Sequence, residues 1–223
     1  MRFDGGGGVR QHAGMRVVAG SARGIRLEGP PSEGTRPISD RAKEALFNIF
    51  GRDVRDARFL DLFAGTGGVG IEALSRGAAA AVLVEQDRAV VEVITANLAR
   101  TRLAERAVVE RADVFAWLDR HSREVAERSG AASITGVGSR RGADEGGTRR
   151  FDLVFSGPPQ WQGLWGRSLA AIDERSGTLL ADGARVVLQL DPREEVDEPV
   201  LANLALTDDR RYGNVALRFY SVA

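Results

Sequence analysis

The chain has 223 residues, of which 43% are hydrophobic and 28% are charged, a composition that supports one sizeable core and excludes a fibrous or wholly disordered protein. Lys and Arg number 31, and Asp and Glu also number 31, so no protein-wide positive field indicates a nucleic-acid partner, and any surface that binds phosphate must be a local concentration of charge. With no cysteine and only two histidines, the chain lacks the material for a disulfide framework, a thiolate nucleophile or an ordinary zinc site, and we expect no bound metal.

The N-terminal region begins with a segment that has few apolar side chains to bury. No apolar run approaches the roughly 18 residues needed to span a bilayer, and no signal-peptide core is present, so we expect a cytoplasmic monomer without membrane contact. Residues 1–14 include four consecutive glycines and are predicted to be a disordered extension. Residues 15–27 place two short apolar runs around a glycine-containing turn, which predicts a basic β-hairpin. Ser39 is a candidate N-cap for a following helix that ends at Gly51, so residues 15–51 form a hairpin and helix extension.

From Phe59 onward, short apolar runs alternate with stretches of helical periodicity. The predicted strands are Phe59 to Phe63, Ala81 to Val84, Ala107 to Val109, Phe151 to Phe155, Ala184 to Leu190 and, near the C-terminus, Val215 to Tyr220; the predicted helices are Val69 to Arg76, Arg88 to Arg100, Val114 to Arg120 and Leu164 to Arg175. This alternation predicts a single α/β domain over residues 15–223, with a mainly parallel sheet whose ligands bind at the carboxyl ends of the strands. Residues 129–150 are rich in Gly, Ser and Arg and are predicted to be a flexible surface insertion.

The residues after the first of these strands are a candidate ligand-binding loop. Gly65, Gly67 and Gly70 match the dinucleotide fingerprint G-x-G-x-x-G. Glycines at these positions let the backbone approach a ligand and leave amides at the start of a helix free to bind it. The spacing alone is a weak indication of a nicotinamide cofactor, and the alternative is a tight strand-to-helix turn of the kind found in any α/β protein.

Three acidic residues narrow the choice of cofactor, because each lies near the carboxyl end of one of the first three strands. Asp61, directly ahead of the glycines, would repel a pyrophosphate but accept hydrogen bonds from an ammonium group. Glu85 is placed to accept from ribose hydroxyls, and Asp113 from the exocyclic amine of an adenine. Asp113 is equally well placed to cap the helix that begins at Val114, and both roles can coexist. The three carboxylates favour S-adenosylmethionine over a nicotinamide cofactor.

Three stretches together resemble the RsmD family of bacterial methyltransferases, which methylate the N2 amine of a guanine in 16S ribosomal RNA. They are RVVAGSARG at 16–24, TRPISDR running into EALFN at 35–48, and DLFAGTG at 61–67. The resemblance implies a class I S-adenosylmethionine-dependent methyltransferase fold: Rossmann-like, seven-stranded and mainly parallel, with an antiparallel last pair and an N-terminal hairpin and helix. It implies that Arg36 lies near the methionine end of the cofactor. It also implies that the partner is small-subunit ribosomal RNA or a precursor ribosomal particle.

The motif after the fourth strand departs from the family pattern, which is Asp or Asn, two prolines and an aromatic residue. Here the residues are Gly157, Pro158, Pro159 and Gln160. In the family, the acidic or amide side chain and the first proline carbonyl accept the hydrogens of the target amine, whereas Gly157 offers only backbone. The aromatic residue stacks on the extruded base; Gln160 does not supply a ring, and Trp161 is one residue later. We therefore expect reduced catalysis at this motif, and the alternative is a non-catalytic RNA-binding or ribosome-assembly protein that retains a cofactor-binding fold.

Positive charge is concentrated in the hairpin and the helix that follows it, although the chain as a whole is neutral. The candidate RNA-binding residues are Arg16, Arg23, Arg26, Arg41 and Lys43, together with Trp161. For each arginine taken alone, a solvated surface position is the simpler explanation.

Overall fold

The computed structural model describes residues 15–29, 38–135, 150–194 and 198–223, with the backbone alone for residues 130–135. These residues form a seven-stranded sheet in the order β3-β2-β1-β4-β5-β7-β6. The strands are β1 (Arg58–Leu62), β2 (Ala80–Glu85), β3 (Ala107–Arg111), β4 (Phe151–Ser156), β5 (Leu180–Leu190), β6 (Leu204–Tyr212) and β7 (Val215–Val222). The helices are α1 (Asp40–Phe50), α2 (Gly68–Ser75), α3 (Arg88–Thr101), α4 (Val114–Thr135), α5 (Leu164–Glu174) and α6 (Ser176–Leu179).

The sheet topology brings three chain segments together at the carboxyl ends of neighbouring strands. Strands β1 to β5 pair in parallel, and β7 pairs antiparallel with both β5 and β6, which confirms the predicted fold class. Because β1 lies between β2 and β4, the direction of strand order reverses there, and such a switch point is where α/β sheets bind ligands. Leu62 of β1 is in register with Val84 of β2 and with Ser156 of β4. The residues that follow these three strands therefore meet at the same level.

Both faces of the sheet are covered, because side chains alternate between the faces along each strand. In β1, Phe59 is buried in a cluster with α1, α2, α3 and the hairpin, whereas Leu60 is buried in a second cluster with α4, α5 and α6. Phe47 and Phe50 of α1 pack against Phe59, with ring centroids 6.2 and 6.3 Å away. Full burial of one such side chain stabilises the fold by about 1.5–3 kcal/mol.

The N-terminal hairpin is fixed to α2 by buried polar side chains. It has a single antiparallel bridge, between Arg16 and Arg26, rather than two full strands. The carboxylate of Glu72, fully buried on α2, accepts hydrogen bonds at 2.7 and 2.9 Å from the backbone amides that follow Val17. At the turn, Gly20 has φ +87°, and a Cβ there would lie 1.9 Å from the backbone oxygen of Ser75. Any larger residue at position 20 would force the hairpin off the helix.

The structure differs from the sequence-based element boundaries most clearly at α4 and β6, while β5 begins at Leu180 rather than Ala184 and α6 was not predicted. The helix predicted to end at Arg120 continues to Thr135, so the first part of the predicted insertion, residues 129–135, is helical. Buried His121 stacks on Trp117 with ring centroids 4.8 Å apart, and this polar residue interrupts the apolar pattern that would have marked the longer helix. Strand β6 was not predicted because it buries only Leu204 and because its residues from Asp208 to Arg211 are all charged. The predicted 1–14 extension and residues 136–149 of the insertion lie outside the described residues, and no described helix is long and apolar enough to cross a membrane.

Candidate active site

The glycine loop joins β1 to α2, and its glycines have different roles. Gly65 and Gly67 both adopt positive φ, at +54° and +80°, a conformation that strongly favours glycine. A Cβ at Gly67 would press to 3.2 Å against Ile71 and Leu83, whereas a Cβ at Gly65 would meet no described atom within 4 Å. Gly67 therefore serves close packing of the helix on the sheet, and Gly65 leaves the open side of the loop clear for a ligand.

Asp61 is buried behind this loop. Its side chain is 1% exposed, and its Oδ2 accepts a hydrogen bond of 2.8 Å from the Gly70 amide in the first turn of α2. Burial raises the pKa of Asp61 to about 8, the Gly70 hydrogen bond opposes that shift, and the negative charge of Glu85 adds to it. The carboxylate thus fixes the start of α2, and a neighbouring cation would stabilise its ionised form.

Glu85 ends β2 and ties that strand to the glycine loop. Its Oε2 accepts from the Gly65 amide at 3.0 Å, and its Oε1 accepts from the Gln86 and Asp87 amides at 2.8 and 3.0 Å. A carboxylate accepts about four hydrogen bonds, so these three leave room for about one more. With the amides in place, Glu85 has capacity for one ribose hydroxyl rather than the two that a free carboxylate would accommodate.

Asp113 follows β3 and caps α4. Its Oδ1 accepts a hydrogen bond from the Ala116 amide at 3.0 Å, which confirms the capping role predicted from the sequence. The side chain is exposed, which leaves its second oxygen accessible to a ligand amine. The role of Asp113 toward a cofactor remains a prediction.

The Gly157–Gln160 motif begins beside the end of β1. The Gly157 amide donates to the Leu62 oxygen at 3.2 Å, so the motif lies next to the glycine loop rather than at a distance from it. Pro158 is buried, while Gly157, Pro159 and Gln160 are half-buried. A Cβ at Gly157 would lie 3.0 Å from Cε1 of the Phe155 ring, which a small movement of the ring can accommodate.

Trp161 stands out from the loop that carries the motif. It is 59% exposed and has φ +64°, an uncommon conformation for a bulky residue. The Arg193 guanidinium lies 5.5 Å from the Trp161 ring centroid and pairs with buried Asp191 through contacts of 3.0 and 2.7 Å. The Gly163 amide donates to Glu194 at 2.8 Å. The segment after β5, which the sequence did not single out, therefore holds this loop.

Comparison with known proteins identifies the family. The family model described as "Conserved hypothetical protein 95" matches residues 15–129. The chain is 33% identical over 206 residues to Ribosomal RNA small subunit methyltransferase D of Escherichia coli strain K12, an alignment that covers 92% of this chain and 89% of that protein. The chain belongs to the RsmD family.

Solved structures agree with the RsmD assignment. A hypothetical protein of Thermus thermophilus is 32% identical, with a TM-score of 0.63 and coverage of 92% of this chain and 97% of that one. An RNA methyltransferase from Salinibacter ruber, solved in complex with S-adenosyl-L-homocysteine, is 14% identical with a TM-score of 0.55 and covers 84% and 94%, which supports the fold alone. Family and fold together confirm the sequence-based prediction of a methyltransferase.

One residue predicted to bind RNA is wrongly assigned. Lys43 is 2% exposed; its ammonium donates to the Arg16 oxygen at 2.6 Å and lies 3.5 Å from the Glu72 carboxylate. Burial lowers the pKa of Lys43, and the charge of Glu72 opposes that effect. Lys43 therefore holds the hairpin on the domain and does not face a partner.

The other predicted basic residues of this extension lie at different distances from the glycine loop. Arg16, Arg23, Arg26 and Arg41 are exposed, whereas Arg36 lies outside the described residues. The open end of the hairpin contacts the loop through Met15 and Thr66 at 3.6 Å, and its tip contacts Ser75 at the far end of α2. Arg16 and Arg26 are therefore near the candidate site, and Arg23 is at the remote tip. Arg100 of α3 joins this surface by donating to the Arg26 oxygen at 3.3 Å, a contact that chain spacing does not reveal.

Proposed function

We propose that the protein is an S-adenosylmethionine-dependent methyltransferase that modifies the N2 amine of a guanine in 16S ribosomal RNA. The observation that carries this proposal is the convergence of the glycine loop, Glu85 and the Gly157–Gln160 motif at the ends of three adjacent strands. Curated relatives named Ribosomal RNA small subunit methyltransferase D support ribosomal RNA as the substrate. The resemblance to the RsmD family supports guanine N2 as the acceptor.

The residues present fit the cofactor. The open side of Gly65 accommodates it, the remaining acceptor position of Glu85 suits a ribose hydroxyl, and the exposed oxygen of Asp113 suits an adenine amine. Asp61 supplies a buried carboxylate whose ionised form an ammonium group would stabilise. When bound, S-adenosylmethionine supplies an electrophilic methyl group on a sulfonium.

The motif after β4 would act on the target base. The Pro158 carbonyl accepts a hydrogen from the amine, and Trp161 offers its exposed ring for stacking on an extruded guanine. Gly157 provides no side-chain acceptor for the second amine hydrogen. Loss of one acceptor aimed at charge that develops in the transition state costs about 10²- to 10³-fold in rate, so the proposed reaction is slow but not abolished.

The test compares methyl incorporation into 16S ribosomal RNA and its precursor particles under single-turnover conditions, before and after Gly157→Asp. We expect the substitution to raise the rate by about 10²- to 10³-fold while the affinity for S-adenosylhomocysteine stays constant. Gly177→Asp is the matched control: it adds the same charge in α6, where a Cβ would meet no described atom within 4 Å.

Two outcomes would contradict the proposal. If the unaltered protein is already fast and Gly157→Asp slows it, another residue supplies the acceptor and the role given to position 157 is wrong. If neither protein transfers methyl to any small-subunit RNA substrate although both bind RNA and S-adenosylhomocysteine, the non-catalytic assembly protein replaces the enzyme. The absent side-chain acceptor at Gly157 is the observation that favours this second function.

A further inference from the structure

The first turn of α5 carries an arginine that the proposed function does not yet use. The guanidinium carbon of Arg167 lies 3.8 Å from the centroid of the Phe115 ring, a stacked position, and the side chain is exposed. Stacking covers one face of a guanidinium but leaves the N–H groups along its edges available. The ring therefore restricts the side chain without consuming its hydrogen-bond donors.

Comparison with the other stacked arginines sets Arg167 apart. Within the described residues, four further arginines lie over aromatic rings, and each also pairs with a carboxylate: Arg76 with Glu72, Arg185 with Asp53, Arg193 with Asp191, and Arg218 with Glu198 and Asp209. The guanidinium of Arg167 forms no hydrogen bond or ion pair to any described residue. In the other four arginines the guanidinium belongs to an internal ion pair, whereas that of Arg167 is held by a ring alone among the described residues.

Arg167 also lies at the rim of the candidate active site. The hydroxyl of its neighbour Ser168 is 2.7 Å from that of Ser156, the last residue of β4, so this turn of α5 is fixed where the Gly157–Gln160 motif begins. Phe115, beneath the guanidinium, meets Phe63 edge-on with centroids 6.2 Å apart. Phe63 directly follows β1 and precedes the glycine loop, so the Phe63–Phe115–Arg167 stack borders both the loop and the motif.

We propose that Arg167 binds a backbone phosphate of the RNA beside the target nucleotide. The inference rests on the proposed RNA substrate. A planar guanidinium with free edge donors matches the oxygens of a phosphate and binds them in bidentate fashion. Because Phe115 already restricts the side chain, less rotamer freedom is lost on binding than for a free surface arginine. The contact orients the strand as it enters the site and carries no base specificity.

The test measures binding of two fluorescein-labelled probes, single-stranded oligouridylate and a 16S ribosomal RNA transcript, over a series of salt concentrations. For Arg167→Gln we expect about tenfold weaker binding and a slope of log K against log salt that is shallower by about 0.7 for the single strand. Arg167→Lys should retain the slope but not the full affinity, because an ammonium keeps the charge and loses the bidentate geometry. Arg55→Gln is the matched control: this exposed arginine precedes β1 and therefore lies at the amino ends of the parallel strands, opposite the candidate active site.

The results separate this inference from the proposed function. An unchanged salt slope in Arg167→Gln would overturn the phosphate contact, as would equal losses in Arg167→Gln and Arg55→Gln. A loss of S-adenosylhomocysteine affinity with an unchanged slope would overturn it too, because the guanidinium would then contact the cofactor. If the protein methylates no ribosomal RNA yet Arg167→Gln alone reduces the slope, the phosphate contact is supported and the proposed enzymatic function fails.

Discussion

The ionisation state of the buried Asp61 side chain should affect the stability of the folded protein. The substitution Asp61→Asn tests this effect. In the unaltered protein, Asp61 Oδ2 accepts a hydrogen bond of 2.8 Å from the Gly70 amide. The asparagine has nearly the same shape and retains an oxygen that can accept this hydrogen bond. It replaces the second carboxylate oxygen with an NH2 group and removes the ability to ionise. Any change in pH dependence therefore reports the buried acid rather than a repacked core.

The expected magnitude follows from the pKa of Asp61, which burial raises from 3.8 to about 8 in the folded protein. Between about pH 4 and pH 8, the folded protein keeps a proton that the unfolded chain releases, so the free energy of unfolding falls by about 1.4 kcal/mol per pH unit in that window. This contribution is fully present below pH 4 and is lost as the pH rises through 8. At pH 7 the loss is on the order of 4 kcal/mol, and we expect Asp61→Asn to recover most of it.

Denaturant unfolding at pH 5, 6, 7 and 8 measures this effect. The asparagine variant should be more stable by about 1–2 kcal/mol already at pH 5, and the difference should grow as the pH rises toward 8. Asp173→Asn is a control for which the opposite result is expected. Burial opposes ionisation of Asp173, but hydrogen bonds from the Ala202, Asn203 and Leu204 amides outweigh burial and lower the pKa of Asp173. The Asp173→Asn protein should therefore be less stable than the unaltered protein.

Cofactor binding provides the second readout for Asp61. An ammonium group beside the carboxylate favours its ionised form, so binding of S-adenosylhomocysteine at pH 7 should release close to one proton from the unaltered protein and none from Asp61→Asn. Calorimetry in two buffers of different ionisation enthalpy measures that release. Equal pH dependence of unfolding in the two proteins would show that Asp61 is already ionised in the folded state, and the reasoning would fail.

Two further predictions concern the ligand side of the site. Asp113→Ser keeps an N-cap for α4 but removes the carboxylate, so we expect normal thermal stability and S-adenosylhomocysteine binding weaker by about 1–3 kcal/mol; equal affinity by calorimetry would remove Asp113 from the cofactor site. Trp161→Gly relieves the strained conformation at φ +64° but removes the indole ring. The melting temperature should therefore rise, while methyl transfer to 16S RNA should fall by about 10- to 100-fold, which corresponds to about 1–3 kcal/mol of lost base stacking. Unchanged methyl transfer would exclude Trp161 as the surface on which the base stacks.

Local sequence signals predicted the scaffold of the site well. Ser39 caps α1 by accepting from the Ala42 amide at 3.2 Å, and the helix ends at Gly51, which has φ +58°; both follow from residue chemistry at the helix ends. The central parallel strands β1 and β4 were recognisable because they are buried on both faces and therefore read as apolar runs. Strand β6 escaped because it lies at the sheet edge, where one row of neighbours is missing and charged side chains remain solvated.

Lys43 was wrongly predicted to bind RNA because the prediction used the local density of positive charge and not the helical spacing of the apolar residues. Residues 43, 46, 47 and 50 lie on one face of α1, and the last three are Leu46, Phe47 and Phe50, all buried. Helical spacing therefore already placed Lys43 on the buried face. Its partner Glu72 is in α2, 29 positions later in the chain, and such a pairing becomes visible only after the tertiary fold is known.

The same dependence on distant partners explains the loop that follows β4. A positive φ at a tryptophan costs on the order of 1–3 kcal/mol and persists only where the surroundings enforce it; here Arg193 on Asp191 and the Gly163–Glu194 hydrogen bond do so. A loop that merely connected β4 to α5 would be more stable with glycine at position 161, where the positive φ carries no penalty. The strain thus indicates a loop shaped to hold an exposed ring beside the Gly157–Gln160 motif. Under the proposed function, Trp161 would supply the ring that Gln160 lacks, and the missing side-chain acceptor at Gly157 would then limit the rate of methyl transfer.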